Sequence, residues 1–161
     1  MEYLRQSSLV KQDVISQSSV SIIGCGAIGS AVAMSLAKMG VNNFVLYDED
    51  IVSEENLPNQ MYRIQDLGDL KVDALGAIIK GYNIDTIITA YNANYIKEPH
   101  SPIVIVATDS MSSRKLVWEQ YLQQNQARSY IEARMGAEEG QIYIITGKSK
   151  ENIEFYQERL Y

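Results

Sequence analysis

The chain has one cysteine, one histidine, one tryptophan and three prolines among its 161 residues. A single cysteine excludes an internal disulfide and any zinc site built from several thiolates. That poverty of thiols fits a reducing, cytoplasmic setting. Few prolines, and 46% hydrophobic residues, argue against extensive disorder. No run of about 18 apolar residues is present, so no segment is expected to span a membrane. Residues Met1 to Gln6 lack the basic head and apolar middle of a secretion signal. Basic residues are outnumbered, 14 against 20 acidic ones, which leaves a net charge of −6. Such a chain is unsuited to holding nucleic acid by its phosphates. A few focused cations could still bind a small nucleotide. The length fits one domain with a real core.

What is present alternates between two periods. Tyr3, Leu4, Leu9, Val10, Val14 and Ile15 recur at helical spacing, so residues 1–17 read as an N-terminal helical arm. Val20-Ser21-Ile22-Ile23 is a short, largely apolar run that stops at Gly24, as a buried parallel strand does. Ile28 to Met39 follows a helical period, Gly40 closes it, and Phe44 to Tyr47 completes a βαβ unit. Residues 50 to 68 are polar and aperiodic, which predicts a functional loop with short helical pieces. Helices are expected over Lys71 to Lys80 and Met111 to Gln124, the second with Leu116, Val117, Trp118 and Leu122 as its core contacts. Strands are expected at Thr86 to Ala90, Ile103 to Ala107, Tyr130 to Ala133 and Gln141 to Ile145. The alternation predicts an α/β, Rossmann-like doubly wound fold: a mostly parallel sheet with helices on both faces. Residues 18–147 form the nucleotide-binding domain in this reading, and 148–161 the start of a truncated C-terminal segment.

The chemistry gathers around Gly24-Cys25-Gly26-Ala27-Ile28-Gly29. In a strand–turn–helix context Gly24 permits the tight turn, Gly26 lets the backbone approach a phosphate, and Gly29 lets helix lie close to strand. Backbone N–H groups and the helix dipole then favour an anion. Asp48 ends the second strand, where a carboxylate can accept ribose hydroxyls. That position suits NAD as well as ATP. Asp50 can either join the site or brace the loop through backbone hydrogen bonds. Lys71 opens a helix, where the dipole repels a cation unless an anion is near. Asp109 follows a strand's carboxyl end, in the crevice where ligands collect, with helix N-capping as its alternative role and Ser110 as a rival cap. An acid, an amide, a cation and a second acid in this order suit ATP better than a nicotinamide.

Arg5-Gln6, Gly24 to Gly29, Asp48 to Val52, Asn56-Leu57, Gln60, Gly68, Lys71 and Thr108-Asp109 together resemble the ThiF/MoeB/HesA group, bacterial relatives of the ubiquitin-activating enzymes. The resemblance implies ATP-dependent adenylation of the C-terminal glycine carboxylate of a ubiquitin-like or sulfur-carrier protein. It assigns Asp48 to the ribose, Asn56 to the phosphate region and Lys71 to the triphosphate, with Asp109 holding Mg²⁺. It also implies a homodimer in which Arg5 reaches the neighbouring subunit's nucleotide. The family usually carries an arginine where this chain has Asn59, and Arg63 is the nearest substitute in sequence. Many relatives carry a downstream catalytic cysteine, but Cys25 inside the glycine turn reads as a small packing residue. His100 is given no role, and Arg114 reads as a helix-surface residue. The competing functions are an NAD-binding dehydrogenase domain and a catalytically weak module that binds a ubiquitin-like protein.

Overall fold

The computed structural model describes residues 3–93 and 101–160, so His100 lies outside the described residues. The expected arm is not one helix. A 3₁₀ turn, Leu4–Gln6, and a short helix α1, Gln12–Gln17, are separated by a turn through Ser7 and Ser8. Leu9 and Val10 N–H both donate to the Gln6 carbonyl in that turn, so an apolar period alone overstates the helix there.

Strand β1 (Ser19–Ile23) leads through the glycine turn into α2 (Ala27–Met39), which Gly40 ends at a φ of 103°. Strand β2 (Asn43–Tyr47) follows, and then a loop carrying 3₁₀ turns at Glu54–Asn56 and Ile64–Asp66. Helix α3 (Lys71–Lys80), β3 (Ile87–Tyr91), β4 (Ile103–Val106) and α4 (Met111–Gln123) come next. The chain continues with β5 (Ser129–Met135), β6 (Gly140–Thr146) and α5 (Lys150–Gln157). The six strands lie in the order β3-β2-β1-β4-β5-β6, parallel except that β6 runs antiparallel to β5. A tight turn in which Gly136 N–H donates to the carbonyl of Glu139 reverses the chain between that last pair.

Alternation along the strands feeds two cores, one on each face of the sheet. Val20, Ile22, Phe44, Leu46 and Ile105 meet Ala33 and Ala37 of α2 and Val72, Leu75, Ile78 and Ile79 of α3. On the other face, Ile23, Tyr47, Val104 and Val106 meet Val117, Trp118 and Tyr121 of α4 together with Tyr156 and Leu160. The inward stripe of α4 is Arg114, Val117, Trp118 and Tyr121. Leu116, expected in the core, is instead 40% exposed. Among the described residues no helix is long and apolar enough to cross a membrane.

Strand order reverses between β1 and β4, which opens a crevice beyond their carboxyl ends. The glycine turn is packed into that corner. A Cβ on Gly24, whose φ is +91°, would lie 2.7 Å from the carbonyl oxygen of Ala107. A Cβ on Gly29 would lie 1.8 Å from the carbonyl oxygen of Gly24. Backbone cannot move aside as a flexible side chain can. Gly29→Ala is therefore expected to destabilise the fold by about 3 kcal/mol or more, the upper range of overpacking costs. Denaturant unfolding measures this, with Gly26→Ala as the unhindered control in the same turn, since a Cβ there would meet no protein atom within 4 Å.

Candidate active site

A cavity of about 480 Å³ fills the crevice, a size suited to a small ligand. The glycine turn, Asp48, Glu49, Asp50, Gln60, Lys71, Thr108, Asp109 and Arg114 border it. Gly24, Gly26, Asp48, Asp50, Lys71 and Asp109 are thus brought together as the sequence implied, while Gly29 acts behind them in packing. A Cβ on Gly26 would touch no protein atom, so protein packing does not require glycine there.

Asp48 organises the floor. One carboxylate oxygen accepts from Cys25 N–H at 2.7 Å, and the other accepts from Asp50 N–H at 2.9 Å. Each oxygen keeps lone-pair capacity for a further donor such as a hydroxyl. Burial pushes the Asp48 carboxyl above its usual range, against the opposing pull of those two N–H donors and of Lys71. Burial also drives the Cys25 thiol well above its ordinary value, and its Sγ donates to the Tyr47 carbonyl at 3.7 Å from within the apolar core. It is an inert packing group.

Lys71 is buried. Its Nζ pairs with Asp50 Oδ2 at 2.8 Å, and its backbone N–H donates to the Asp50 carbonyl. Asp50 thus compensates the cation that the helix dipole disfavours at the start of α3. The Asp50 side chain is 63% exposed and that of Lys71 only 8%, so the acid is the partner free to leave. The turn before α4 separates two roles that the sequence left open. Ser110 Oγ accepts from Ser113 N–H and caps the helix. Asp109 remains exposed on the cavity wall.

Other expected residues stand elsewhere. Asn56 borders a smaller adjoining cavity with Asp50, Ser53, Glu55 and Lys71, and its Oδ1 accepts from both N–H and Oγ of Ser53. Arg63 does not replace the arginine missing at Asn59, because Asp66 holds its guanidinium through Nε and Nη2 at 2.9 and 2.8 Å. Arg5 is exposed and borders neither cavity. Its neighbour Gln6 donates to the Met39 carbonyl, at the end of α2 remote from the glycine turn. That helix of 13 residues is about 20 Å long, so Arg5 is anchored far from its own crevice.

Two features escaped the sequence reading. Tyr62 is buried and donates to the Cys25 carbonyl at 2.7 Å, fastening the 50–70 loop to the glycine turn. This places Gln60, whose buried Oε1 has no hydrogen-bond partner, at the cavity. Arg114 is no surface residue. It is buried, and Nη1 donates to Glu132 Oε1 at 2.6 Å. The signals were a cation on the apolar stripe of α4 and, at Glu132, an acid on the inward period of β5.

The pattern of the ThiF family matches residues 3–159. The chain belongs to the ThiF family. Ubiquitin-like modifier-activating enzyme 5 of Bombyx mori is 31% identical over 94 residues, 58% of this chain and 24% of that one. The SAMP-activating enzyme E1 of Haloferax volcanii is 29% identical over 107 residues, 62% of this chain and 40% of that one. A crystal structure of E. coli MccB with ATP shares the fold, with a TM-score of 0.76 at 23% identity over 92% of this chain and 49% of that one. This ThiF-family chain spans less than half the length of these relatives.

The raised Asp48 pKa has a pH consequence. The folded protein holds this proton more tightly than the unfolded chain does, so the group's contribution to stability is lost as pH rises from the ordinary carboxylate range through the raised value. Denaturant unfolding across that window should show wild type losing stability with rising pH relative to Asp48→Asn, which lacks the titration.

Proposed function

We propose that this chain adenylates the C-terminal glycine carboxylate of a ubiquitin-like or sulfur-carrier protein, using ATP and Mg²⁺. The observation that carries this reading is one crevice that combines the glycine turn, the uncapped Asp109 and a buried lysine held by a displaceable acid. Asp48 would accept the ribose hydroxyls, and the turn around Gly26 would face the phosphates. Lys71 would exchange Asp50 for phosphate oxygen, and Asn56, which borders the adjoining cavity with Lys71, would face the triphosphate end. Four carboxylates and two cations border the main cavity, a balance that repels a bare triphosphate. A divalent cation on Asp109 fits that imbalance, since Mg²⁺ takes one or two protein carboxylates and completes its shell with phosphate and water. When bound, the metal supplies charge neutralisation for the departing pyrophosphate.

The reaction needs no general base, because a glycine carboxylate is ionised at neutral pH. One carboxylate oxygen attacks the α-phosphorus. The bond from that phosphorus to the bridging oxygen of the β-phosphate breaks, and pyrophosphate leaves with the electron pair. The product is an acyl adenylate. The protein's contribution is positioning and electrostatic stabilisation.

Partner-dependent exchange of labelled pyrophosphate into ATP tests this, with a carrier protein ending in glycine as acceptor. Exchange is expected in wild type and is expected to fall about 10²–10³-fold or more in Asp109→Ala, as when a preorganised charge is removed. Lys71→Ala should weaken Mg·ATP binding, and Cys25→Ser should leave exchange largely intact. The tied guanidinium of Arg63 and the neutral Asn59 favour a second reading, a module that binds nucleotide and carrier without chemistry. Binding of both by the wild type without exchange would select that reading.

The same reading includes a cytoplasmic homodimer. Arg5, too distant to serve its own crevice, would then complete that of a second copy. Leu9 and Val14 on the arm are 83% and 58% exposed, apolar surface of the kind that a permanent interface covers. Light scattering should give twice the 18.1 kDa chain mass. A monomer at every concentration would remove Arg5 from the site.

A further inference from the structure

Arg114 is the second cation on the cavity wall, and nothing in the proposed chemistry employs it. Its guanidinium is committed on three sides. Nη1 donates to Glu132 Oε1 and, at 3.1 Å, to the carbonyl of Ala133 on β5. Nη2 donates to the carbonyl of Thr108. Thr108 immediately precedes Asp109, and both belong to the turn linking β4 to α4. Arg114 therefore clamps that turn against the neighbouring strand from inside the helix that the turn begins.

The clamp is itself held. Glu132 is fully buried and also accepts from Arg134 Nε, while Tyr130 donates to its other oxygen at 3.4 Å. Arg134 in turn donates through Nη1 to the carbonyl of Arg159 at 2.8 Å and lies over the Tyr143 ring. A buried carboxylate between two guanidiniums is a costly element to fold around, and a hydrophobic replacement often stabilises a protein just as well. Its position beside the Asp109 turn supplies a reason for the expense. The planar fork of arginine reaches the Glu132 carboxylate and the Thr108 carbonyl through two separate nitrogens in fixed directions, where a lysine offers one nitrogen.

We infer that Arg114 is a positioning residue for Asp109: by holding the Thr108 carbonyl, and being oriented by Glu132, it presents the Asp109 carboxylate to the divalent cation that accompanies ATP. This rests on the Mg·ATP reading above. Groups that orient a metal ligand from behind typically change metal affinity by about 10–100-fold when altered.

The test is the Mg²⁺ dependence of ATP binding, followed by calorimetry without any acceptor protein. Arg114→Lys keeps the charge paired with Glu132 but loses the fork. It is expected to raise the Mg²⁺ concentration for half-maximal ATP binding about tenfold, while binding at saturating Mg²⁺ stays close to wild type. Glu132→Gln, which loosens the guanidinium without removing it, should shift the same midpoint in the same direction by less. It decides the matter if Arg114→Lys does not fold. In an Asp109→Ala background, either change should have no further effect on Mg²⁺ dependence, because coupled positions are not additive. An unchanged midpoint in the folded single variants would overturn the inference, as would full additivity with Asp109→Ala. In those two cases wild type still binds Mg·ATP, and the adenylation reading stands. A wild type that binds no nucleotide at any Mg²⁺ concentration overturns both.

Discussion

The carboxylate of Asp48 is the constraint from which the crevice is built. It stands at the end of β2 and receives backbone N–H groups from two different turns. Through Cys25 it fixes the glycine turn after β1. Through Asp50 it fixes the start of the long loop, and Asp50 then meets both the backbone and the ammonium of Lys71. One half-buried acid thus sets the positions of the anion-facing backbone and of the cation opposite. Burial that disfavours its charge is offset by donors that favour it.

The same arrangement explains why the site is charged yet self-contained. Lys71 rests on Asp50 and Arg114 on Glu132, so neither cation is left alone in a partly buried place. The two pairs differ in kind. Asp50 is exposed, whereas Glu132 is sealed in the core with a second arginine behind it. The first pair is suited to substitution by an incoming anion and the second to holding shape.

The central strands β1, β2 and β4, the glycine turn and α3 were legible because local signals and burial agree there. Val20 to Ile23 is apolar but for Ser21, and both of its faces are covered by helices. Asp48, Lys71 and Asp109 could be placed on one crevice because each lies at the end of a strand or the start of a helix. Residues whose roles depend on distant partners were not legible. Arg114 reads as polar surface until Glu132, 18 positions later, is seen across from it. Tyr62 lies in an aperiodic loop, and only the folded chain brings its hydroxyl to Cys25. Asn59 and Arg63 are neighbours in sequence, yet Asp66 is what decides where that guanidinium goes.

The single tryptophan gives the two-faced core a spectroscopic signature. Trp118 is buried with ring centroids of Tyr121, Tyr130 and Tyr156 at 5.3, 5.1 and 4.3 Å. All four rings belong to the core beneath α4 and α5, and none to the core beneath α2 and α3. Excitation absorbed by these tyrosines passes to the indole at such distances, so emission reports the packing of that one face. Tryptophan fluorescence will therefore register loosening of α4 or α5, while opening of the α2–α3 face leaves the indole's immediate surroundings unchanged.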